Sequence, residues 1–146
     1  MADRTSSSIT VDGPPADVMA VIADFPRYPD WADGIKETVV VAEGGGGRAD
    51  RVRFTLDAGV ISDTYVLAYT WDGDAGVEWD LAEAGKIVSG MSGSYRLTGG
   101  GARTEVVYEL AVDVAIPLPG MLKRRAEKTI IGTALKGLKN RVESGH

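Results

Sequence analysis

Residues 64–81 read TYVLAYTWDGDAGVEWDL, and this stretch predicts a β-hairpin. Every second residue from 65 to 71 is large and apolar, and the alternation returns around Trp79. A period of two is typical of a strand with one covered face. The residues between the two runs, Asp-Gly-Asp at 72–74, are strong hairpin-turn chemistry. The stretch therefore predicts an antiparallel sheet.

The alternation continues on both sides of this hairpin and predicts a meander of six strands. The turns are rich in glycine and lie at residues 44–47, 58–59, 72–74, 83–85 and 99–101. The predicted strands are 35–42, 52–58, 65–71, 77–81, 95–97 and 106–114. Connections this short leave no room for a crossover, so consecutive strands must pair antiparallel. A further strand is predicted at residues 5–12.

A helical period replaces the period of two at both ends of the meander. Residues 16–25 carry apolar side chains at spacings of three and four, and two prolines precede them where a helix tolerates proline. Pro26 and Pro29 end this helix and leave room for only a short helical turn. A long helix is predicted at residues 121–143. The prediction is an α+β fold of order β-α-α-β6-α, with a seven-stranded curved antiparallel sheet around a long C-terminal helix.

The composition of the 146 residues predicts one globular domain, residues 1–146. The chain is 44% hydrophobic and 25% charged, and it has no cysteine. Its net charge of -5 argues against a nucleic-acid partner. Residues 1–10 lack the features of a signal peptide, and no stretch approaches the ~18 apolar residues of a membrane span. We therefore expect a cytoplasmic location.

The covered face of the sheet is unusually aromatic, and it must meet the C-terminal helix. The helix positions expected to face it include Ala126, Ala134 and Gly137, which are small. Small residues opposite aromatic ones indicate either a close approach or room for a ligand, and we favour room for a ligand. Buried tyrosine hydroxyls need partners, which a ligand supplies. The predicted ligand-binding residues are Trp31, Phe54, Leu56, Tyr65, Leu67, Tyr69, Trp79, Tyr95, Tyr108, Leu110, Ala126, Ile130 and Ala134.

The sequence places few side chains suited to catalysis on the covered face of the sheet. The only histidine is His146, so a histidine base or triad inside the fold is excluded. Arg51 and Arg53 alternate out of phase with Phe54 and should face solvent, and no inward pair of carboxylates is evident. No metal or other cofactor is expected. Binding a small hydrophobic molecule is the leading hypothesis; an enzyme that uses the pocket tyrosines and a filled-core interaction module are the alternatives.

Several segments carry a family resemblance. They read VIADFPRYPDW at 21–31, YVLAYTW at 65–71, VEW at 77–79, GSY at 93–95, TEVVY at 104–108 and IPLPG at 116–120. In this order they resemble the START-like (SRPBCC, helix-grip) superfamily, and most of all its small bacterial polyketide cyclase/dehydrase, lipid-transport and coenzyme-Q-binding proteins. The resemblance implies a cavity for a lipid, an isoprenoid or quinone, or a polyketide. It also implies that cyclase activity would use Trp31 and the tyrosines to orient a polyketide chain.

The start of the C-terminal helix is basic on an otherwise acidic chain. Lys123, Arg124, Arg125 and Lys128 lie there, close to Met121 and other apolar residues. Such a patch suits transient contact with an anionic membrane surface. The alternative is an ordinary solvated helix face. The sequence gives no indication of the oligomeric state or of a protein partner.

Overall fold

The predicted order of elements is confirmed by the structure. The computed structural model describes residues 4–57 and 62–144, so the turn predicted at 58–59 lies outside the described residues. The strands are β1 (Thr5–Asp12), β2 (Ile35–Glu43), β3 (Ala49–Asp57), β4 (Ser62–Asp72), β5 (Gly76–Glu83), β6 (Val88–Gly100) and β7 (Arg103–Val114). The helices are α1 (Pro15–Ala23), α2 (Tyr28–Trp31) and α3 (Gly120–Glu143), and short 3₁₀ turns lie at Phe25–Arg27 and Gly45–Gly47.

The seven strands form one curved antiparallel sheet in the order β1-β7-β6-β5-β4-β3-β2. From β2 to β7 each strand pairs with the next in the chain, as the short turns predict, and β1 closes onto β7 at the far edge. The register places aromatic residues directly opposite one another in three cross-strand pairs. These pairs are Phe54 with Tyr65, Tyr69 with Trp79, and Tyr95 with Tyr108.

The strand predicted at 95–97 is much longer in the structure, because β6 begins at Val88. Its first half contains glycine and serine and therefore shows no apolar alternation. Pairing with β7 extends it, from Val88 opposite Val114 to Gly100 opposite Arg103. A side chain at Gly93 would meet Trp79, since a Cβ built there lies 2.5 Å from the indole ring. The small residues of β6 thus make space for an aromatic side chain of β5.

Helix α3 packs against β1 and β7 of the sheet and against α1 and α2. Its buried residues include Ile131, Leu135 and Leu138, which complete the apolar core with α1. Because α3 packs on the β1 and β7 side of the sheet, no helix packs tightly on part of the aromatic inner face of β3 to β6. The cavity described below lies in this space.

A buried carboxylate, which the sequence did not reveal, fastens α3 to the sheet. Glu127 is 2% exposed. Its carboxylate accepts hydrogen bonds from the hydroxyl of Thr5 on β1 at 2.7 Å and from the backbone N–H of Val112 on β7 at 2.8 Å. Residue 112 lies beyond the β1–β7 ladder, whose last pair is Thr5 with Leu110. Glu127 therefore satisfies an N–H that lies past the end of that ladder.

A second carboxylate holds the connection between β5 and β6. Asp63 on β4 accepts hydrogen bonds of 2.8 to 3.0 Å from the backbone N–H groups of residues 86–88. Burial opposes the ionisation of Asp63, but these bonds outweigh it and lower the pKa of its carboxyl. Gly85 is required beside it, because a Cβ there would lie 2.0 Å from the carboxylate.

The expectation that the small residues of α3 leave room for a ligand is wrong at Gly137. A Cβ built there would lie 1.8 Å from the backbone oxygen of Trp31, so the missing side chain allows α2 and α3 to approach closely. Ala134, one turn earlier, does line the cavity. The two possible meanings of a small helix residue therefore both occur in α3, three residues apart.

Candidate functional site

A cavity of about 380 Å³ lies between the inner face of the sheet, α2 and the middle of α3. This volume is in the range of sites that hold small molecules. Its lining is formed by Tyr28, Trp31, Ala32, Asp33, Gly34, Ile35, Phe54, Leu56, Asp57, Tyr65, Leu67, Tyr69, Trp79, Met91, Tyr95, Tyr108, Thr129, Ile130, Thr133 and Ala134.

The wall of the cavity is a continuous set of aromatic contacts. The rings of Phe54 and Tyr65 stack with centroids 6.1 Å apart, and those of Tyr95 and Tyr108 lie 4.5 Å apart. Trp79 contacts both Tyr95 and Tyr108, with centroids 5.5 and 5.6 Å away. Aromatic side chains packed at these distances support one another and have few rotatable bonds. These rings therefore form one packed surface along the cavity.

Four tyrosine hydroxyls on this wall have no hydrogen-bond partner within residues 4–57 and 62–144. They belong to Tyr65, Tyr69, Tyr95 and Tyr108, which are each 8% exposed or less. These hydroxyls are open to the cavity, because the only fully buried side-chain nitrogen or oxygen without a partner among the described residues is Nε1 of Trp31. Burial raises the pKa of all four phenols, so each is neutral near pH 7 and both donates and accepts hydrogen bonds. They are suited to bind polar atoms and unsuited to act as bases.

Two further polar groups lie at the α2 side. The hydroxyl of Tyr28 donates to the backbone oxygen of Ile22, so this tyrosine is satisfied within the protein. The indole Nε1 of Trp31 is buried, and no partner for it occurs in the described part of the chain. Trp31 is also one of the lining residues.

Eleven of the thirteen residues predicted from the sequence lie around this cavity. They are Trp31, Phe54, Leu56, Tyr65, Leu67, Tyr69, Trp79, Tyr95, Tyr108, Ile130 and Ala134. Leu110 and Ala126 do not line it; both are buried in the core, at 1% and 3% exposure. Residues four apart on a helix are rotated by about 40° from one another, so a row that begins at Ala126 winds around the helix. Only its middle, at Ile130 and Ala134, reaches the cavity.

The residues that the sequence analysis missed include polar ones from three parts of the chain. Thr129 and Thr133 are one turn apart on α3, and Asp33, Gly34 and Ile35 follow α2. Asp57 joins them from the end of β3, where its backbone N–H donates to the oxygen of Gly34 at 2.6 Å. The β2–β3 hairpin brings the end of β3 to the loop after α2, since Ile35 pairs with Leu56. The periodicity of a single strand carries no signal for it.

The arginines predicted to face solvent do so. Arg51 and Arg53 are exposed on β3, and Arg96 pairs with Glu78 and Asp72 on the outer surface. The described part of the cavity lining contains no lysine, arginine or histidine. In the described ranges, no group of three or more histidine, cysteine, aspartate or glutamate side chains is placed to hold a metal ion. A membrane-spanning helix, long and apolar enough, is likewise not found among the described residues.

The curved seven-stranded sheet around a long C-terminal helix is the START-like, helix-grip fold. Residues 2–143 match the family described as polyketide cyclase / dehydrase and lipid transport, and the chain belongs to that family. No match to the chain was found among curated protein sequences.

Solved structures resemble the chain along almost its whole length. A START superfamily protein from Mycobacterium smegmatis superposes with a TM-score of 0.88 at 21% identity, covering 97% of each chain. The Zhui aromatase/cyclase from Streptomyces sp. R1128 gives 0.81 at 20% identity over 98% of this chain and 94% of its own. A protein of Thermus thermophilus gives 0.81 at 22% identity, over 97% of this chain and 98% of its own. At these identities the likeness shows the fold.

Proposed function

We propose that the protein binds a small hydrophobic molecule in the aromatic cavity and acts as its carrier or sensor. The observation that carries this proposal is the set of four tyrosine hydroxyls without protein partners that open onto an otherwise apolar cavity. A core built for packing alone would satisfy these groups or use phenylalanine instead. A ligand of the lipid, isoprenoid, quinone or polyketide class would fill the space and satisfy the hydroxyls together.

Titration with the neutral dye Nile red tests the proposal, because Trp31 and Trp79 in the lining report occupancy through their fluorescence. Ala134→Leu fills the cavity from α3 and should weaken binding, while Lys136→Leu, on the exposed face of the same helix, should not. Organic extraction of gently purified protein followed by mass spectrometry identifies any bound molecule. Failure of the dye to bind, together with an extract that matches a blank, would exclude the carrier role.

A catalytic role is the second candidate, in which the protein would be a cyclase or dehydratase for a polyketide-like substrate. Its support is the family and the likeness to an aromatase/cyclase fold. Within residues 4–57 and 62–144, the lining offers Asp33 and Asp57 as its only ionisable groups besides tyrosine. Incubation with a poly-β-ketone thioester, followed by chromatography, would show cyclised product if the reaction occurs. Product distributions identical to those of the protein-free control would reject it.

Contact with an anionic membrane surface is a separate proposal for the start of α3. Met121 is 75% exposed and Ile116 is 43% exposed, next to the exposed Arg124 and Arg125. This basic segment precedes the cavity residues Thr129 and Ile130 by about one turn of the same helix. An apolar tip beside cations suits an acidic bilayer.

Liposome sedimentation tests this membrane contact. We expect the protein to sediment with phosphatidylserine-containing vesicles and to remain free with phosphatidylcholine alone. The double variant Arg124→Ser/Arg125→Ser should lose this binding, while Lys36→Ser, an exposed lysine on β2, should keep it. Equal partition into both kinds of vesicle would contradict the proposal.

A further inference from the structure

We infer that the cavity selects its ligand by charge: it takes an uncharged, oxygen-bearing hydrophobic molecule and rejects carboxylates and phosphates. This inference rests on the binding role proposed above and narrows its ligand class. It follows from the charges around the cavity and from the tyrosine hydroxyls on its wall.

The cavity provides no counter-charge for an anion. Among the described residues, its lining contains two carboxylates and no cationic side chain. Residues 58–61, which follow Asp57 in the chain, are AGVI and add no charge in the sequence. Lys128 and Lys136 flank the cavity face of α3 in sequence, but both are exposed and neither belongs to the lining. A buried carboxylate or phosphate without a cation is strongly disfavoured.

The two carboxylates belong to the polar end of the cavity. Asp33 is exposed, and Asp57 lies close to it because the Asp57 N–H donates to the Gly34 oxygen at 2.6 Å. Thr129 and Thr133 line the same cavity from α3. An amphiphile with its polar group at this end would meet hydroxyls and negative charge. Neutral polar groups are compatible with this environment, and anionic ones are repelled.

The wall indicates what the ligand carries along its length. Tyr65, Tyr69, Tyr95 and Tyr108 present hydroxyls that donate and accept, spread over three strands of the sheet. A plain hydrocarbon would leave these hydroxyls unsatisfied, which costs free energy at each one. Hydroxyl or carbonyl oxygens on the ligand would satisfy them. The ligand class is therefore a neutral, oxygenated, ring-containing or unsaturated molecule that can stack on aromatic rings.

Two probes with the same ring and different head groups test the charge selection. We would titrate the protein at pH 8 with 9-anthracenemethanol and with 9-anthracenecarboxylate, following energy transfer from tryptophan. We expect the carboxylate to bind at least about tenfold more weakly than the alcohol, since an unpaired charge must be desolvated. The alcohol should also bind more weakly, by about fivefold, to the Tyr95→Phe/Tyr108→Phe variant, which removes two hydroxyls.

Variants at the polar end provide the control. Asp33→Lys places a cation at an exposed lining position and should narrow the ratio between the two probes to about threefold or less. Asp80→Asn removes an exposed carboxylate on β5 outside the lining and should leave the ratio unchanged. Equal binding of both probes to the wild type would overturn charge selection and leave the binding role standing. Failure of both probes to bind would overturn both proposals.

Discussion

Replacing two glycines of α3 by alanine should change stability in opposite directions. Gly132 and Gly137 lie in the same helix, five residues apart. In a helix interior, alanine is about 1 kcal/mol more favourable than glycine. On helix propensity alone, both substitutions would stabilise the protein equally. The surroundings of the two positions make the expected results different.

At Gly132 the helix faces solvent, and a Cβ there meets no atom within 4 Å. We expect Gly132→Ala to raise the free energy of unfolding by about 0.5–1 kcal/mol, the full propensity gain. For a chain of this size that corresponds to a rise in Tm of about 2–3 °C. This variant is the matched reference for the second substitution.

At Gly137 a Cβ would lie 1.8 Å from the backbone oxygen of Trp31 and 2.9 Å from its carbonyl carbon. Backbone atoms cannot rotate away, so α2 must shift relative to α3. Overpacking of this kind costs about 1–3 kcal/mol, and a contact this short belongs near the upper limit. After the propensity gain, we expect Gly137→Ala to lower the free energy of unfolding by about 2 kcal/mol.

Urea unfolding followed by circular dichroism measures both changes as shifts in the midpoint at an unchanged slope. Because Trp31 lines the cavity, Gly137→Ala should also weaken Nile red binding, and Gly132→Ala should not. If Gly137→Ala is as stable as Gly132→Ala, the close approach of α2 and α3 is refuted, and with it our account of why glycine occupies this position.

Three further results are expected. The Asp63 carboxyl has a lowered pKa in the folded protein, so its contribution to stability is present above about pH 4 and is lost as the pH falls through the folded pKa. The difference in urea midpoint between wild type and Asp63→Asn should therefore shrink on acidification. A difference that does not depend on pH would contradict this account. Glu127→Ala should lower the free energy of unfolding by about 2–3 kcal/mol, because it leaves the Val112 N–H unsatisfied. Glu127→Gln keeps an acceptor and should lower it by less than half of that. Equal losses of stability for the two variants in urea unfolding would show that the hydrogen bond is unimportant. Gly93→Ala should destabilise the protein by about 1–3 kcal/mol and move the Trp79 indole toward the cavity, so that Nile red binds more weakly. An unchanged affinity for Nile red together with an unchanged urea midpoint would contradict the contact between residue 93 and Trp79.

Much of the fold could be predicted because its signals are local. The alternation around Tyr69 and Trp79, and the glycine-rich turns on either side, specify antiparallel neighbours without reference to anything distant in the chain. The long strand β6 shows where this fails. Its first half contains Gly90 and Gly93, and it is a strand because β7 pairs with it. Where side chains are small, the partner strand and not the pattern decides the structure.

The cavity wall was also predictable, for the same reason. Residues on one face of a strand share a register, so Tyr65, Leu67 and Tyr69 had to point in one direction once the sheet was assigned. The helix side was predicted less well. A row of residues four apart winds around α3, and Ala126 at its start turns away from the space that Ala134 reaches. Which part of the row faces the cavity depends on how the helix lies on the sheet.

The amino-acid sequence by itself determined the aromatic inner face, the antiparallel meander and the scarcity of catalytic side chains, because each depends only on residue type and spacing. Tertiary structure alone decided which small residues leave space and which allow contact. Ala134 opens onto the cavity, while Gly137 admits the backbone of Trp31. It also decided that Asp33 and Asp57 line the cavity: the β2–β3 hairpin brings these residues together, but the positions of α2 and α3 make this end of the hairpin part of the lining. Such contacts depend on the positions of whole elements in space, which no local spacing encodes.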